Sequence, residues 1–222
     1  MRKTVMAMLL VVVLLFSVHY ASAEDISGKS TDELMALRVQ INKELAERYE
    51  PAVLEDAVPI EKIFPDKVFS LFVRDAVGAF SIKDAVTQDD LDRVTSIFIN
   101  STSDNVRSLE GIQYLRNVAR ITIVSQKELT SIPDEICELQ ALKSLELGTN
   151  GIKSIPDSIC NCPSLVSLEI GYNPIERLPD DIGNLSTLEY LDISGTKIKE
   201  LPQTIYLLQL KEFKRKGLDL GD

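Results

Sequence analysis

The chain has 222 residues, of which 45% are hydrophobic, so it is long and apolar enough to bury a sizeable core. Its formal net charge of −10 disfavours nucleic acid or an anionic membrane surface as a partner. It has one histidine, His19, and no tryptophan.

Residues 1–23 have the composition of a secretory signal peptide. Arg2 and Lys3 give a basic start, residues 4–18 are almost wholly apolar, and Ala21-Ser22-Ala23 forms a small-residue cleavage site. The alternative is a membrane anchor, but this apolar run of about 15 residues is shorter than the roughly 20 that a spanning helix needs. Cleavage predicts a secreted, surface or periplasmic protein with no stable membrane span.

Signal cleavage would remove His19 and leave a chain with no histidine. Ser–His and Cys–His nucleophile pairs, histidine bases and histidine zinc sites would then be excluded. Because Arg2 and Lys3 leave as well, 22 basic residues would face 34 acidic ones, a net charge of −12. We therefore expect a protein that is not an enzyme, with no cofactor and no metal. A carboxylate-pair hydrolase is the remaining catalytic alternative.

Residues 24–58 are predicted to form an amphipathic helix and a link. Ser30 and Glu33 have capping-box spacing. Apolar residues then follow at helical spacing, namely Leu34, Leu37, Ile41 and Leu45. We place the helix at about 31–49. Its apolar stripe packs either on its own domain or on another chain, in which case the protein is an assembly module and a homo-oligomer is one outcome.

Residues 59–92 are predicted to form a helical N-terminal cap. Asp66 is placed to cap a helix that ends near Val77, and Thr87-Gln88-Asp89-Asp90 to start a short turn. The Phe64-Pro65-Asp66 opening, the apolar helix and the segment Val86–Leu91 resemble the cap of bacterial internalin-like surface proteins. That resemblance extends over roughly residues 63–124. A cap is required because the first coil of a stack would otherwise expose its edge and core.

Residues 93–222 contain a repeat of 23 or 24 residues. Its regular copies begin at Leu142, Leu165 and Leu188, and less regular ones at Val94 and Val118. This is the pattern of a leucine-rich repeat, and the later copies resemble the Leu-Pro-x-x-Ile-Gly-Asn-Leu repeats of bacterial and plant proteins. The sequence therefore predicts an α/β solenoid, an arc of about five leucine-rich coils preceded by the cap and the amphipathic helix. A partial sixth coil beginning at Leu210 and Phe213 would serve as a C-terminal cap.

Each repeat position has a physical reason. Leucines two apart, such as Leu145 and Leu147, point to one face of a short strand. The asparagine that follows, as at Asn150, can bond the backbone of neighbouring coils. The proline of the return leg excludes regular helix or sheet pairing. One coil cannot bury its leucines alone, so the coils must stack.

The residues between the leucines of the strands face the open, concave side. One predicted column contains Ser144, Ser167 and Tyr190, and the next contains Glu146, Glu169 and Asp192, with Tyr172 at a strand end. Three carboxylates on adjacent strands repel one another and could attract a basic protein segment. These seven residues are the predicted partner-binding surface of a secreted recognition protein, for a protein or a glycan. The alternatives are a merely solvated acidic face, or a calcium site built from oxygen ligands.

Three cysteines remain after the signal. Cys162 occupies a core position of the repeat, whereas Cys137 and Cys160 lie 23 residues apart at one repeat position. Coils about one strand spacing apart would bring Cys137 and Cys160 within reach of a disulfide, and export permits oxidation. Two stacked thiols are the alternative. The cysteine spacing does not match a zinc motif.

Overall fold

The structure is a computed structural model that describes residues 52–100 and 104–218, together with Glu33 and Leu37. Glu33 and Leu37 are both helical, and the rest of the predicted helix at 31–49 lies outside the described residues, as does the predicted signal peptide. No helix within the described ranges is long and apolar enough to cross a membrane.

Within the described residues 52–92 there are three helices and a two-stranded antiparallel sheet. In chain order the elements are β1 (Val58–Pro59), α1 (Ile60–Ile63), α2 (Lys67–Val77), β2 (Ala85–Val86) and α3 (Gln88–Leu91). The two phenylalanines Phe64 and Phe69 are fully buried and pack edge to face, with ring centroids 5.3 Å apart. They join the core of the repeats, so the cap closes the first coil.

The predicted helix starts are confirmed. Asp66 caps α2, because its Oδ1 accepts a hydrogen bond of 2.8 Å from the backbone N–H of Phe69. Thr87 caps α3 in a capping box with Asp90, whose carboxylate in turn accepts from the backbone N–H of Thr87. Asp66 has a second role, since its Oδ2 accepts from the backbone N–H of Arg107 at 2.8 Å and thereby ties the cap to the first return leg.

The repeats form one parallel sheet of six strands in sequence order, which confirms the leucine-rich repeat solenoid. The strands are β3 (Ser96–Asn100), β4 (Arg120–Val124), β5 (Ser144–Glu146), β6 (Ser167–Glu169), β7 (Tyr190–Asp192) and β8 (Glu212–Lys214). Strand β8 lies in the segment predicted as a partial sixth coil. The central leucines Leu145, Leu168 and Leu191 are in register and at most 1% exposed.

Buried asparagines link successive coils, as their sequence position predicts. The side-chain amide of Asn150 donates to the carbonyls of Ile123 and Leu147, at 2.7 and 3.0 Å. That of Asn173 donates to Leu147 at 2.7 Å. Each asparagine therefore satisfies backbone carbonyls of its own coil and of the preceding one, which would otherwise be buried without a partner.

The return legs contain short 3₁₀ helices. They span Ile112–Tyr114, Asp134–Glu138, Asp157–Asn161, Ile182–Asn184 and Gln203–Leu207. Three of them begin directly after a proline, Pro133, Pro156 or Pro202. Proline is tolerated there because the first amides of a helix need no partner within the helix.

Candidate functional site

The two predicted columns lie side by side on the sheet face opposite the core, the concave side expected of the repeat. Ser144, Ser167 and Tyr190 are directly paired across β5, β6 and β7. Glu146, Glu169 and Asp192 are paired in the same way two residues further along each strand. Adjacent strands lie about 4.8 Å apart. We call this surface the open face; its binding role remains a prediction.

Each carboxylate of the open face accepts a hydrogen bond from its surroundings. Glu146 accepts from the hydroxyl of Thr122 at 3.2 Å, and Glu169 from that of Ser167 at 3.3 Å. Asp192 accepts from the backbone N–H of Ser194 at 2.8 Å. These bonds orient the carboxylates on rigid strands and leave oxygen lone pairs for a partner.

The acidic column ends at a lysine. Lys214 on β8 lies opposite Asp192 on β7 in the strand register. It forms an ion pair with Glu212, with 3.4 Å between Lys214 Nζ and Glu212 Oε1. The hydrogen bond and charge of Glu212, with the charges of Asp192 and Glu169, raise the pKa of Lys214. The charge sequence along the column is therefore three negative groups and then a positive one.

The sequence placed Lys214 in a charged C-terminal cap and did not place it, or Glu212, on the open face. The last coil is one residue shorter than the repeat, since Asp192 and Lys214 are 22 residues apart. Extending the column by 23 residues leads to Arg215 instead. The spacing of 22 between Leu188 and Leu210 is the signal that would have given the correct register.

A shallow groove of about 430 Å³ runs over the open face from β4 to β8. Two of the lining residues are apolar: Val166, which is partly exposed, and Leu191, whose side chain belongs to the core and is 1% exposed. The other lining residues are charged or polar, namely Arg120, Lys143, Ser144, Ser167, Glu169, Tyr190, Asp192, Glu212 and Lys214. Charges of both signs spread along a groove of this size suit a protein segment better than a small charged molecule.

Large aromatic side chains border this face. Tyr172 is 62% exposed and Tyr190 38%, and Phe98 on the first strand is 66% exposed. Tyr172 has a positive φ of 58°, which is uncommon for a bulky residue. Tyrosines of this kind supply contact area at low entropic cost, so they fit an interaction surface.

The disulfide joins Cys137 to Cys162, with Cα atoms 4.6 Å apart, so the predicted pairing of Cys137 with Cys160 is wrong. Cys160 takes no part in the disulfide and is buried. Equivalent residues of stacked coils point their Cβ atoms in the same direction, whereas a disulfide needs Cβ atoms that converge. Cys162 follows the 3₁₀ helix with extended backbone and comes back towards Cys137.

Within residues 52–100 and 104–218 there is no group of three or more histidine, cysteine, aspartate or glutamate residues placed to hold a metal ion. The three carboxylates of the open face are spread along the sheet and do not converge on one point. The arrangement is therefore suited to contacts with several groups of a partner.

Comparison with known proteins identifies two segments. Residues 116–175 match the family model described as "Leucine rich repeat", and residues 48–92 match the one described as "Bacterial adhesion/invasion protein N terminal". Internalin H of Listeria monocytogenes is 39% identical over 59 residues, which are 27% of this chain and 10% of the relative. The chain thus covers a small part of that protein's length.

Solved structures of internalins share the fold. The functional domain of InlJ from Listeria monocytogenes, which includes a cysteine ladder, aligns with a TM-score of 0.62 at 20% identity, over 72% of this chain and 33% of the other. An internalin from the same species, InlF, aligns with a TM-score of 0.54 at 21% identity, over 68% of this chain and 53% of the other.

Proposed function

We propose that this chain, an internalin-like leucine-rich repeat protein, is a non-catalytic module of the adhesion type whose open face binds a basic segment of a protein partner. One observation carries the proposal: Glu146, Glu169 and Asp192 are in register on three adjacent strands of a rigid sheet. Like charges in this position cost stability unless a partner offsets them.

The surroundings of the carboxylates favour a protein partner over a free ion. Charged groups of both signs line the groove, and the exposed tyrosines Tyr190 and Tyr172 lie in it or at its strand ends. Aromatic anchors with a charged rim are typical of protein interfaces. Protein is therefore our choice over the glycan alternative.

We also infer that the protein acts outside the cytoplasm. The predicted signal peptide at 1–23 supports export, and so does the disulfide between Cys137 and Cys162, because disulfides persist in oxidising compartments. The match of residues 48–92 to the adhesion/invasion model points in the same direction. The predicted signal peptide, the disulfide and the family match together support a secreted or surface-associated location.

The test measures binding of a defined peptide to purified protein. The probe is a dansyl-labelled 15-residue peptide of alternating arginine and serine, compared with one that has glutamate in place of arginine. Replacing Glu146, Glu169 and Asp192 together by serine should abolish binding of the arginine peptide at low salt. Binding should also weaken as salt is added, because exposed charges are screened within about 10 Å at 0.1 M.

The chain provides a matched control on its return legs. Asp134, Asp157 and Asp180 are also 23 residues apart and exposed, and they lie away from the open face. Their joint replacement by serine changes the net charge equally and should leave binding intact. Retained binding by the open-face variant, or equal loss in the control, would contradict the proposal.

A further inference from the structure

Five residues that follow successive strands share a left-handed backbone. Their φ values are 62° at Ser125, 61° at Thr149, 58° at Tyr172, 65° at Gly195 and 80° at Gly217. Stacking imposes this conformation, since the backbone N–H of Tyr172 donates to the carbonyl of Ser194 at 2.7 Å. The fold therefore fixes the direction in which the side chain of Tyr172 leaves the backbone.

Gly195 follows Tyr172 in this column, and the ring of Tyr172 occupies the space that a side chain on Gly195 would take. A Cβ on Gly195 would lie 2.7 Å from Tyr172 Cδ1 and 2.9 Å from Cε1, closer than such atoms can approach. The ring therefore packs against Gly195 of the next coil, although Tyr172 is 62% exposed. Without this seat an exposed tyrosine would sample several rotamers.

The backbone on either side of this ring lies near a carboxylate of the open face. A Cβ on Gly171, the residue before Tyr172, would lie 3.3 Å from Asp192 Oδ1, and the same oxygen accepts from the backbone N–H of Ser194, the residue before Gly195. An aromatic ring near a carboxylate is a suitable environment for a guanidinium or ammonium group, which the ring attracts through its π electrons and the carboxylate through its charge. A fixed ring loses less entropy on binding than a freely rotating one.

We propose that Gly195 is a positioning residue: by lacking a side chain it seats the ring of Tyr172 beside Asp192, where the ring receives a basic side chain of the protein partner. The inference rests on the proposed function and deepens it. It assigns to the acidic end of the open face a subsite for one arginine or lysine. Gly195 acts only through Tyr172, so its contribution should vanish when the tyrosine is absent.

The first measurement needs no partner. In the wild-type protein the α protons of Gly195 should have NMR chemical shifts displaced by the ring current of Tyr172, and Tyr172→Ala should remove this displacement. Gly195→Ala and Gly195→Asn should change the ring signals of Tyr172. Asparagine is included because it tolerates the left-handed backbone better than alanine and still places a Cβ against the ring.

The second measurement is a double-mutant cycle with the dansyl-labelled arginine–serine peptide. Tyr172→Ala and each Gly195 variant should weaken binding roughly three- to tenfold. In the Tyr172→Ala background, the Gly195 variants should have no further effect. Gly78→Ala is the matched control, since Gly78 also has a positive φ of 74° but has nothing within 4 Å of an added Cβ; it should bind like the wild type.

The outcomes separate the two proposals. If the Gly195 variants bind like the wild type while the ring signals have changed, or weaken binding equally without Tyr172, the positioning role is overturned and the open face stands. An unshifted Gly195 signal in the wild type also overturns it. If the wild type does not bind the arginine peptide, the basic-partner hypothesis and this inference fail together. Melting temperatures show that each variant measured is folded.

Discussion

Arg116 and Asp92 form a two-point ion pair between the cap and the first coil. Arg116 Nε donates to Asp92 Oδ1 at 3.0 Å, and its Nη2 donates to Oδ2. The amide of Gln88 also donates to Asp92 Oδ1 at 2.8 Å and to the carbonyl of Tyr114 at the same distance. Asp92 directly follows α3, so this network fixes the cap on the repeats.

Replacing Arg116 by methionine should lower the free energy of unfolding by about 1.5–3 kcal/mol at pH 7, because the half-buried carboxylate of Asp92 would lose its charged donor. The hydrogen bonds from Arg116 lower the pKa of Asp92 below its ordinary value of 3.8. The contribution is therefore present above the unfolded pKa and is lost as the pH falls through the lower, folded pKa. The loss caused by the variant should accordingly shrink below about pH 4.

Urea unfolding at pH 7 and pH 3 measures this difference. Arg93→Met is the matched control, since the ion pair of Arg93 with Asp90 is more exposed, with Arg93 at 69%. Exposed pairs contribute about 0–1 kcal/mol. An Arg116 effect that is the same at both pH values would contradict the role given to Asp92.

Reduction of the disulfide should destabilise the repeats. Cys137 and Cys162 are 25 residues apart, and a closed loop of this size lowers the entropy of the unfolded chain by an amount worth about 3–4 kcal/mol. Unfolding of the oxidised and reduced wild-type protein gives the difference. Cys162→Ala should be insensitive to the reductant. Mass spectrometry after digestion should recover the Cys137–Cys162 peptide pair, and a Cys137–Cys160 pair would contradict the structure.

Lys214→Met should strengthen binding of the arginine–serine peptide several-fold at low salt. The lysine is a counter-ion at the end of the acidic column, and its removal exposes the charge of Asp192 to the partner. The gain should fall as salt screens the interaction. Lys199→Met is the control, because Lys199 is an exposed lysine outside the open face. An equal gain in both variants would show an effect of net charge alone.

Deleting residues 24–50 tests the assembly alternative of the N-terminal helix. If that helix joins copies of the chain, light scattering should give a lower mass per particle for the shortened protein. If the mass, expressed in chains per particle, is unchanged, the assembly role is wrong. Binding of the arginine–serine peptide should be the same in both proteins, since the open face begins far along the chain.

The sequence predicts what depends on periodicity and capping. The leucine columns, the buried asparagines, the helix start at Asp66 and the turn at Thr87 all follow from local rules, and the structure confirms them. It does not predict features that depend on direction in space. The position of Cys162 after a 3₁₀ turn determines which cysteine bonds to Cys137. The last coil is one residue shorter than the repeat, and this places Lys214 opposite Asp192.

The repeat pattern also does not predict the contact of the Tyr172 ring with Gly195. The pattern shows only that Tyr172 and Gly195 occupy the same position of successive coils. That a tyrosine leans across the stack onto the glycine of the next coil depends on the left-handed backbone at both residues. Columns in a solenoid therefore have to be examined across neighbouring coils as well as within each coil.

The disulfide also determines how the repeats respond to tension. When a protein of this kind is pulled at its two ends, force passes through the shortest covalent route, and here that route crosses from Cys137 to Cys162. Residues 138–161 then carry none of the force. They include strand β5 with Ser144 and Glu146. Coils on either side can peel away under strain, but the segment between the two cysteines contributes no extension until the sulfur bond breaks.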